Sequence, residues 1–113
     1  MDYLRTSFNM EILEKKEYLN ELFTLYHELL TEKQKEYFKL YYFEDYSLQE
    51  ISDECNVSRN AIFDQLKHVE SNLIEYESKL WLNEARIKRL EYLDKFDKTK
   101  DNKYIEKLRK MDE

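Results

Sequence analysis

The chain contains no glycine and no proline, and that double absence constrains its fold more than any motif does. Glycine supplies the left-handed residues of tight hairpins, and proline supplies fixed turns and helix breaks. A sheet protein lacking both would have to build every hairpin from disfavoured residues, so the sequence points to an all-α fold. Its helices must then be ended by other residues. Asparagine, which tolerates the left-handed conformation, is the first candidate.

At 113 residues there is room for one domain. Apolar residues make up 42% and charged residues 39%, which suffices for a core beneath a heavily charged surface. The longest apolar run, Leu40 to Phe43, is too short for a secretory segment or a membrane span. The single cysteine, Cys55, excludes an internal disulfide and a cysteine-only metal cluster. Together these features predict a cytoplasmic protein with no membrane association. The net charge of −6 argues against a protein that coats nucleic acid non-specifically, while leaving a local basic patch open.

Helical spacing organises the rest. Residues 1–9 lack an apolar stripe and read as a tail. Ile12, Leu19, Leu22, Phe23, Tyr26, Leu29 and Leu30 recur on one face and predict a first helix from about Glu11 to Leu30. Thr31 followed by Gln34 is a capping-box pattern, and it opens a second helix through Tyr37, Phe38, Leu40, Tyr41 and Tyr42 that fades near Phe43. Ser47 with Glu50 repeats the pattern ahead of a short helix whose inward positions are Leu48, Ile51 and Cys55. Asn56 ends that helix and Ser58 caps the next.

From Arg59 the spacing predicts helix to roughly Leu93. Leu66, Val69, Leu73, Tyr76 and Leu80 form a seam of alternating three- and four-residue steps, with Asn83 at the next position and Ile87 and Leu90 resuming it. This seam has two solutions: it folds back on the first helix, or it pairs with a second copy. A homodimer through the long C-terminal helix, with Asn83 helping to fix register, is the preferred solution because one small core rarely buries so long a helix. Lys98 to Lys103 is almost wholly polar, and Tyr104, Ile105, Leu108 and Met111 offer a weak last stripe, so residues 97–113 read as a charged, mobile tail after a domain spanning 10–96.

Leu48 to Leu66 carries a helix-turn-helix pattern: Leu48 and Ile51 inward, small Ser52 where the helices cross, Asn56 at the turn, Val57 at the corner, then Ile62 and Leu66 seating the second helix. Outward positions are Arg59, Asn60, Phe63, Asp64 and Lys67. Such positions face the major groove in DNA readers, where arginine pairs with guanine and asparagine with adenine. The candidate nucleic-acid contacts are Ser58, Arg59, Asn60, Phe63 and Lys67. Local charge opposes the assignment, because between Ser47 and Leu80 the acids Glu50, Asp53, Glu54, Asp64, Glu70, Glu75 and Glu77 outnumber Arg59, Lys67 and Lys79.

The run Tyr41-Tyr42-Phe43-Glu44-Asp45-Tyr46-Ser47-Leu48, with Glu50-Ile51, Val57-Ser58-Arg59, Ala61, Asp64, Glu70, Tyr76-Glu77 and Lys79-Leu80, resembles the YlxM family over about Met10 to Phe96. The resemblance implies a bacterial helix-turn-helix similar to region 4 of sigma factors, without a wing. It also implies a regulatory role tied to the signal recognition particle, beside whose components such proteins are encoded. Ser52 stands where the family usually has alanine and His68 where it usually has arginine. Met10 resembles the usual start, making Met1 to Asn9 an extension.

Chemistry of other kinds finds no support. Cys55 occupies a small apolar position and reads as packing. His27 and His68 have no metal-ligand partner on their helices, so neither a metal nor any cofactor is expected. Glu17 and Glu21 lie one turn apart on a solvated face. The aromatic residues between Tyr37 and Tyr46 fit a core better than a base-stacking platform, Tyr46 being the least determined.

The sequence therefore predicts no enzyme. It predicts a regulator that binds DNA or the particle's RNA. The alternatives are a module that binds the particle's GTPase without touching nucleic acid, and an ordinary transcription regulator that reads a palindromic site as a dimer.

Overall fold

The computed structural model describes residues 2–113, with side chains from Leu13 onward. Its regular structure is helical throughout: α1 (Asp2–Tyr26), α2 (Glu32–Phe38), α3 (Leu48–Cys55), α4 (Arg59–Leu80), α5 (Leu82–Thr99) and α6 (Lys103–Lys110). The all-α expectation is met. A tail was expected over 1–9 and a helix start near Glu11, but α1 begins at Asp2, nine residues earlier; the side chains of residues 1–12 lie outside this description. The chain divides into two compact units, Met1–Lys79 and Leu80–Glu113.

In the first unit, α1 buries Leu19, Leu22, Phe23 and Tyr26, the three- and four-residue spacing of one helical face. It ends four residues earlier than Leu30, giving way to a 3₁₀ turn at His27–Leu29. Leu30 is extended and buried, and Thr31 starts α2 with the anticipated capping box: Gln34 N–H donates to Thr31 Oγ1 and Thr31 N–H to Gln34 Oε1, both at 3.1 Å.

Two buried clusters result. Leu19, Leu22, Phe23, Tyr26, Leu30 and Phe38 pack with Val69 and Leu73 of α4. Tyr37, Ile51, Ile62 and Leu66 form the other, with Leu48, Cys55 and Val57 half-buried around them. The neighbours Tyr37 and Phe38 point into different clusters, so α2 is the partition between them. Each fully buried leucine or isoleucine contributes about 1.5–3 kcal/mol. Phe23 stacks on Phe38 with ring centroids 4.4 Å apart, confirming the core reading for those rings. Phe43, by contrast, is exposed.

Between α2 and α3 the chain widens into a π-helical turn, Lys39–Phe43. Glu44 N–H reaches back to the Lys39 carbonyl, and Asp45 takes a left-handed φ of 56°. Ser47 and Glu50 then form the second capping box at 3.1 Å in each direction.

The single helix expected from Arg59 to Leu93 is two helices. Trp81 adopts φ 59°, and a left-handed residue cannot continue a right-handed helix; the apolar residues on either side keep the seam's spacing in the sequence. Of the proposed seam, Leu66, Val69 and Leu73 are buried within the first unit's own clusters, whereas Leu80, Ile87 and Leu90 are exposed. The fold-back solution holds for α4. Asn83 is buried within the chain itself and accepts from Arg86 Nε and Nη2 at 3.2 and 3.0 Å.

The second unit is a helical hairpin, α6 forming where a charged tail was expected over residues 97–113. Lys100 ends α5 in the left-handed region, φ 57°, with Asp101 Oδ1 accepting from Lys103 N at 2.9 Å to start α6. Tyr104, Ile105 and Leu108 are half-buried, and α6 folds back on α5. Tyr92 and Phe96, four residues apart on one side of α5, are half-buried as well. No helix among the described residues is long and apolar enough to cross a membrane.

Candidate nucleic-acid interface

The corner between α3 and α4 is held by a compact set of bonds. Asn56 takes the left-handed conformation, φ 59° and ψ 42°, and its N–H donates to the Ser52 carbonyl. Ser52 Oγ in turn donates to the Val57 carbonyl at 2.5 Å, and Val57 N–H returns to the Ser52 carbonyl at 3.3 Å. A small residue was needed at position 52 for close crossing. The hydroxyl adds a tie across the turn that alanine, the usual residue in the resemblance, could not make.

Ser58 Oγ accepts from Ala61 N–H at 3.1 Å, so one lone pair is spent on capping α4 while the hydroxyl proton stays available. Arg59, Asn60, Phe63 and Lys67 are all exposed. Asn60, Phe63 and Lys67 follow one another at spacings of three and four, and Arg59 stands on the first turn, four residues before Phe63. The structure thus brings all five predicted contact residues to one surface. The side chains of Arg59 and Asn60 make no hydrogen bond or ion pair with any described residue. Lys67 is engaged: its Nζ lies 5.4 Å from the Phe63 ring centroid and 3.6 Å from Glu70 Oε2.

Glu70 is the electrostatic hub of this face. Its carboxylate takes Lys67 on one side and Lys15 of α1, 3.5 Å away, on the other, and accepts from Tyr42 Oη at 2.6 Å. Burial, followed by the hydrogen bond to Glu70, holds the Tyr42 phenol far above its ordinary range. Two clefts flank the hub. One of about 250 Å³ is lined by Lys15, Lys16, Tyr41 and Tyr42, and one of about 110 Å³ by Tyr41, Tyr42, Phe63, Lys67, Glu70 and their neighbours. Lys15, Lys16 and Tyr41 were absent from the sequence-based site. Periodicity placed the lysines on a solvated face, and only the docking of α1 against α4 brings them beside Lys67.

Cys55 is structural, as expected. Burial, with a hydrogen bond from Sγ to Glu36 Oε1 at 3.4 Å, pushes its thiol pKa up and keeps it in the unreactive form. Tyr46 packs half-buried on the second cluster, and the Glu54 carboxylate raises its pKa. No group of histidine, cysteine or carboxylate side chains suited to a metal occurs among the described residues.

A capped helix set on a three-helix core by a left-handed turn, with its outer face free of core contacts, defines a helix-turn-helix protein. Comparison with known proteins narrows this class. Residues 13–112 match the family described as "Putative helix-turn-helix protein, YlxM / p13 like", and the chain belongs to that family. The match includes the α5–α6 hairpin, beyond the Phe96 limit of the sequence resemblance.

Similar proteins include a UPF0122 protein of Oceanobacillus iheyensis, 45% identical over 105 residues covering 89% of this chain and 100% of the relative. The UPF0122 protein YlxM of Bacillus subtilis is 47% identical over 83 residues, 74% of this chain and 76% of the relative. A Lactococcus lactis UPF0122 protein is 43% identical over 104 residues, 90% and 93% of the two chains.

Proposed function

We propose that this protein is a nucleic-acid-binding regulator of the signal recognition particle pathway, acting through the outer face of α4. The observation that carries the reading is the freedom of Arg59 and Asn60 on the first turn of a helix whose orientation is fixed by the Ser52–Val57 tie. Side chains held on a rigid element and not spent on internal partners are what base-edge recognition requires. The positive end of the α4 dipole and the Ser58 hydroxyl favour phosphate at the same turn. The tie to the particle rests on the family resemblance.

The test is a salt-titrated binding assay against the particle's RNA, duplex DNA from its gene region, and its GTPase subunit. Binding to a nucleic acid that is lost in the Arg59→Ala, Lys67→Ala double variant supports the reading. Binding to the GTPase alone, untouched by those changes, overturns it.

A second reading is favoured by the exposed carboxylates Asp53 and Glu54 of α3 and Asp64 of α4 and by the capture of Lys67 by Glu70. In it the same face meets a basic protein partner such as the GTPase, and charge reversal at Asp64 or Glu70 is the damaging change.

Self-association remains part of the proposal, with its location revised. The α4 seam is consumed internally, so the surface offered to a second copy is the exposed stripe Ile87, Leu90 and Leu93 of α5. Light scattering on Ile87→Glu plus Leu90→Glu tests it: a shift from dimer to monomer is expected, and an unchanged mass rules the stripe out.

A further inference from the structure

The two units carry opposite charge. Met1–Lys79 has nine lysines and arginines against seventeen acids, whereas Leu80–Glu113 has ten against eight. A polyanion approaching this molecule is repelled by the unit that holds the helix-turn-helix and attracted by the hairpin.

The hairpin's basic residues are not scattered. Lys107 Nζ lies 5.7 Å from the Tyr92 ring centroid and 6.0 Å from that of Tyr104, and Lys103 Nζ lies 5.1 Å from the Tyr104 ring. Helical spacing then places Lys95, three residues after Tyr92, and Lys110, three after Lys107 and seven after Lys103, on the same surface. Lys95, Lys107 and Lys110 make no ion pair with any described residue. Lys103 is held by Asp101 at 3.8 Å, and nearby Glu106 is occupied by Arg109 at 3.2 Å. Leu90 lies about 200° around α5 from Tyr92 at the helical repeat of roughly 3.6 residues, so this surface faces away from the exposed apolar stripe.

We propose that the α5–α6 hairpin is the phosphate-binding element of the protein, with Lys95, Lys107 and Lys110 contacting the nucleic-acid backbone around Tyr92 and Tyr104. The inference rests on the nucleic-acid reading above and divides its labour: α4 reads, the hairpin holds. Lysines beside half-buried tyrosines suit a backbone groove, since the rings limit lysine motion and offer a flat apolar surface to sugar or base. This division accounts for a recognition face that is itself short of positive charge.

The experiment compares full-length wild type with the Lys95→Gln, Lys107→Gln, Lys110→Gln variant by fluorescence anisotropy, on labelled duplex DNA and a single-stranded RNA of the same sequence, across a salt series. A second triple, Lys33→Gln, Lys35→Gln, Lys79→Gln, imposes the same change of net charge on the first unit. The hairpin triple is expected to weaken binding to every sequence. It should flatten the plot of log K against log salt by about 2.7 on duplex or about 2.1 on single strand, three contacts at the usual slope per phosphate. The first-unit triple should leave the slope near wild type, and Lys-to-Arg changes at the three hairpin positions should preserve it.

Lys110→Gln alone, at an exposed site near the chain's end, gives a single-contact version should the triple fail to fold. A hairpin variant with the wild-type slope, or equal flattening by both triples, overturns the inference while leaving the α4 reading intact. If the wild type binds neither probe, both fall.

Discussion

Ser52 Oγ donates to the Val57 carbonyl at 2.5 Å across the turn of the helix-turn-helix, so the residue chosen for smallness also fixes the angle at which α4 leaves the corner. Ser52→Ala keeps the close crossing and deletes only this bond. Stability should fall by about 0.5–1.5 kcal/mol, the net value of a typical internal hydrogen bond. The urea midpoint should drop with the m-value unchanged. Ser52→Val adds bulk at the crossing and should cost more, by about 1–3 kcal/mol. Equal stability of Ser52→Ala and wild type would show that the tie is geometrically present but energetically idle.

The corner shows what the sequence disclosed and what it hid. Thr31, Ser47 and Ser58 were readable as caps because a hydroxyl at the right offset has a local job that no distant contact alters. Asn56 was readable for the same reason. Trp81 was not: a large aromatic residue is an unusual choice for a left-handed break, and the apolar spacing around it runs on as though the helix continued. Polar composition suggested a mobile end where α6 forms, because its short stripe becomes a helix face only once α6 is known to fold back on α5. The exposure of Arg59, Asn60, Phe63 and Lys67 on α4 followed from the motif. Lys15 and Tyr41 belong to the same surface through tertiary packing alone, which no periodicity reports.

Without glycine, the chain places Asp45, Asn56, Trp81 and Lys100 at φ near 57°, where a side chain costs about 1–2 kcal/mol unless it compensates locally. Lys100 is exposed and follows α5 in the position glycine favours. Lys100→Gly should therefore stabilise the protein, by about 0.5–1 kcal/mol after allowing for glycine's greater freedom when unfolded. At Asn56 the side chain already suits the conformation, so Asn56→Gly should be nearly neutral while Asn56→Val destabilises. Thermal unfolding of the three variants checks the order.

Tyr42 confers a pH dependence of definite sign. Its folded pKa is raised by burial and by the Glu70 hydrogen bond, so below the ordinary phenol range both folded and unfolded chains keep the proton and stability is independent of this group. Above about pH 10 the unfolded chain releases the proton while the folded chain retains it, and stability falls as pH rises. Tyr46, raised by Glu54, acts in the same direction. Tyr42→Phe should reduce this alkaline loss without abolishing it. It should also remove a late-titrating component from the tyrosinate absorbance. A wild-type titration in which every tyrosine ionises near pH 10 would contradict the buried Tyr42–Glu70 bond.

Glu70 decides between the two readings of the α4 face. Its carboxylate holds Lys15 and Lys67 at 3.5 and 3.6 Å, so Glu70→Gln releases both lysines while the amide oxygen still accepts from Tyr42. The stability cost should be small, about 1 kcal/mol or less, because both lysines are more than half exposed. If α4 meets phosphate, nucleic-acid binding should tighten at low salt. The salt slope should also steepen by up to about 1.8, the value for two added contacts on duplex. If the face instead meets a basic protein, the same substitution removes an attractive charge: GTPase affinity should fall and nucleic-acid binding should not improve. The opposite directions make this one variant more informative than alanine changes at Arg59 and Lys67, which weaken binding without showing what the acidic surroundings are for.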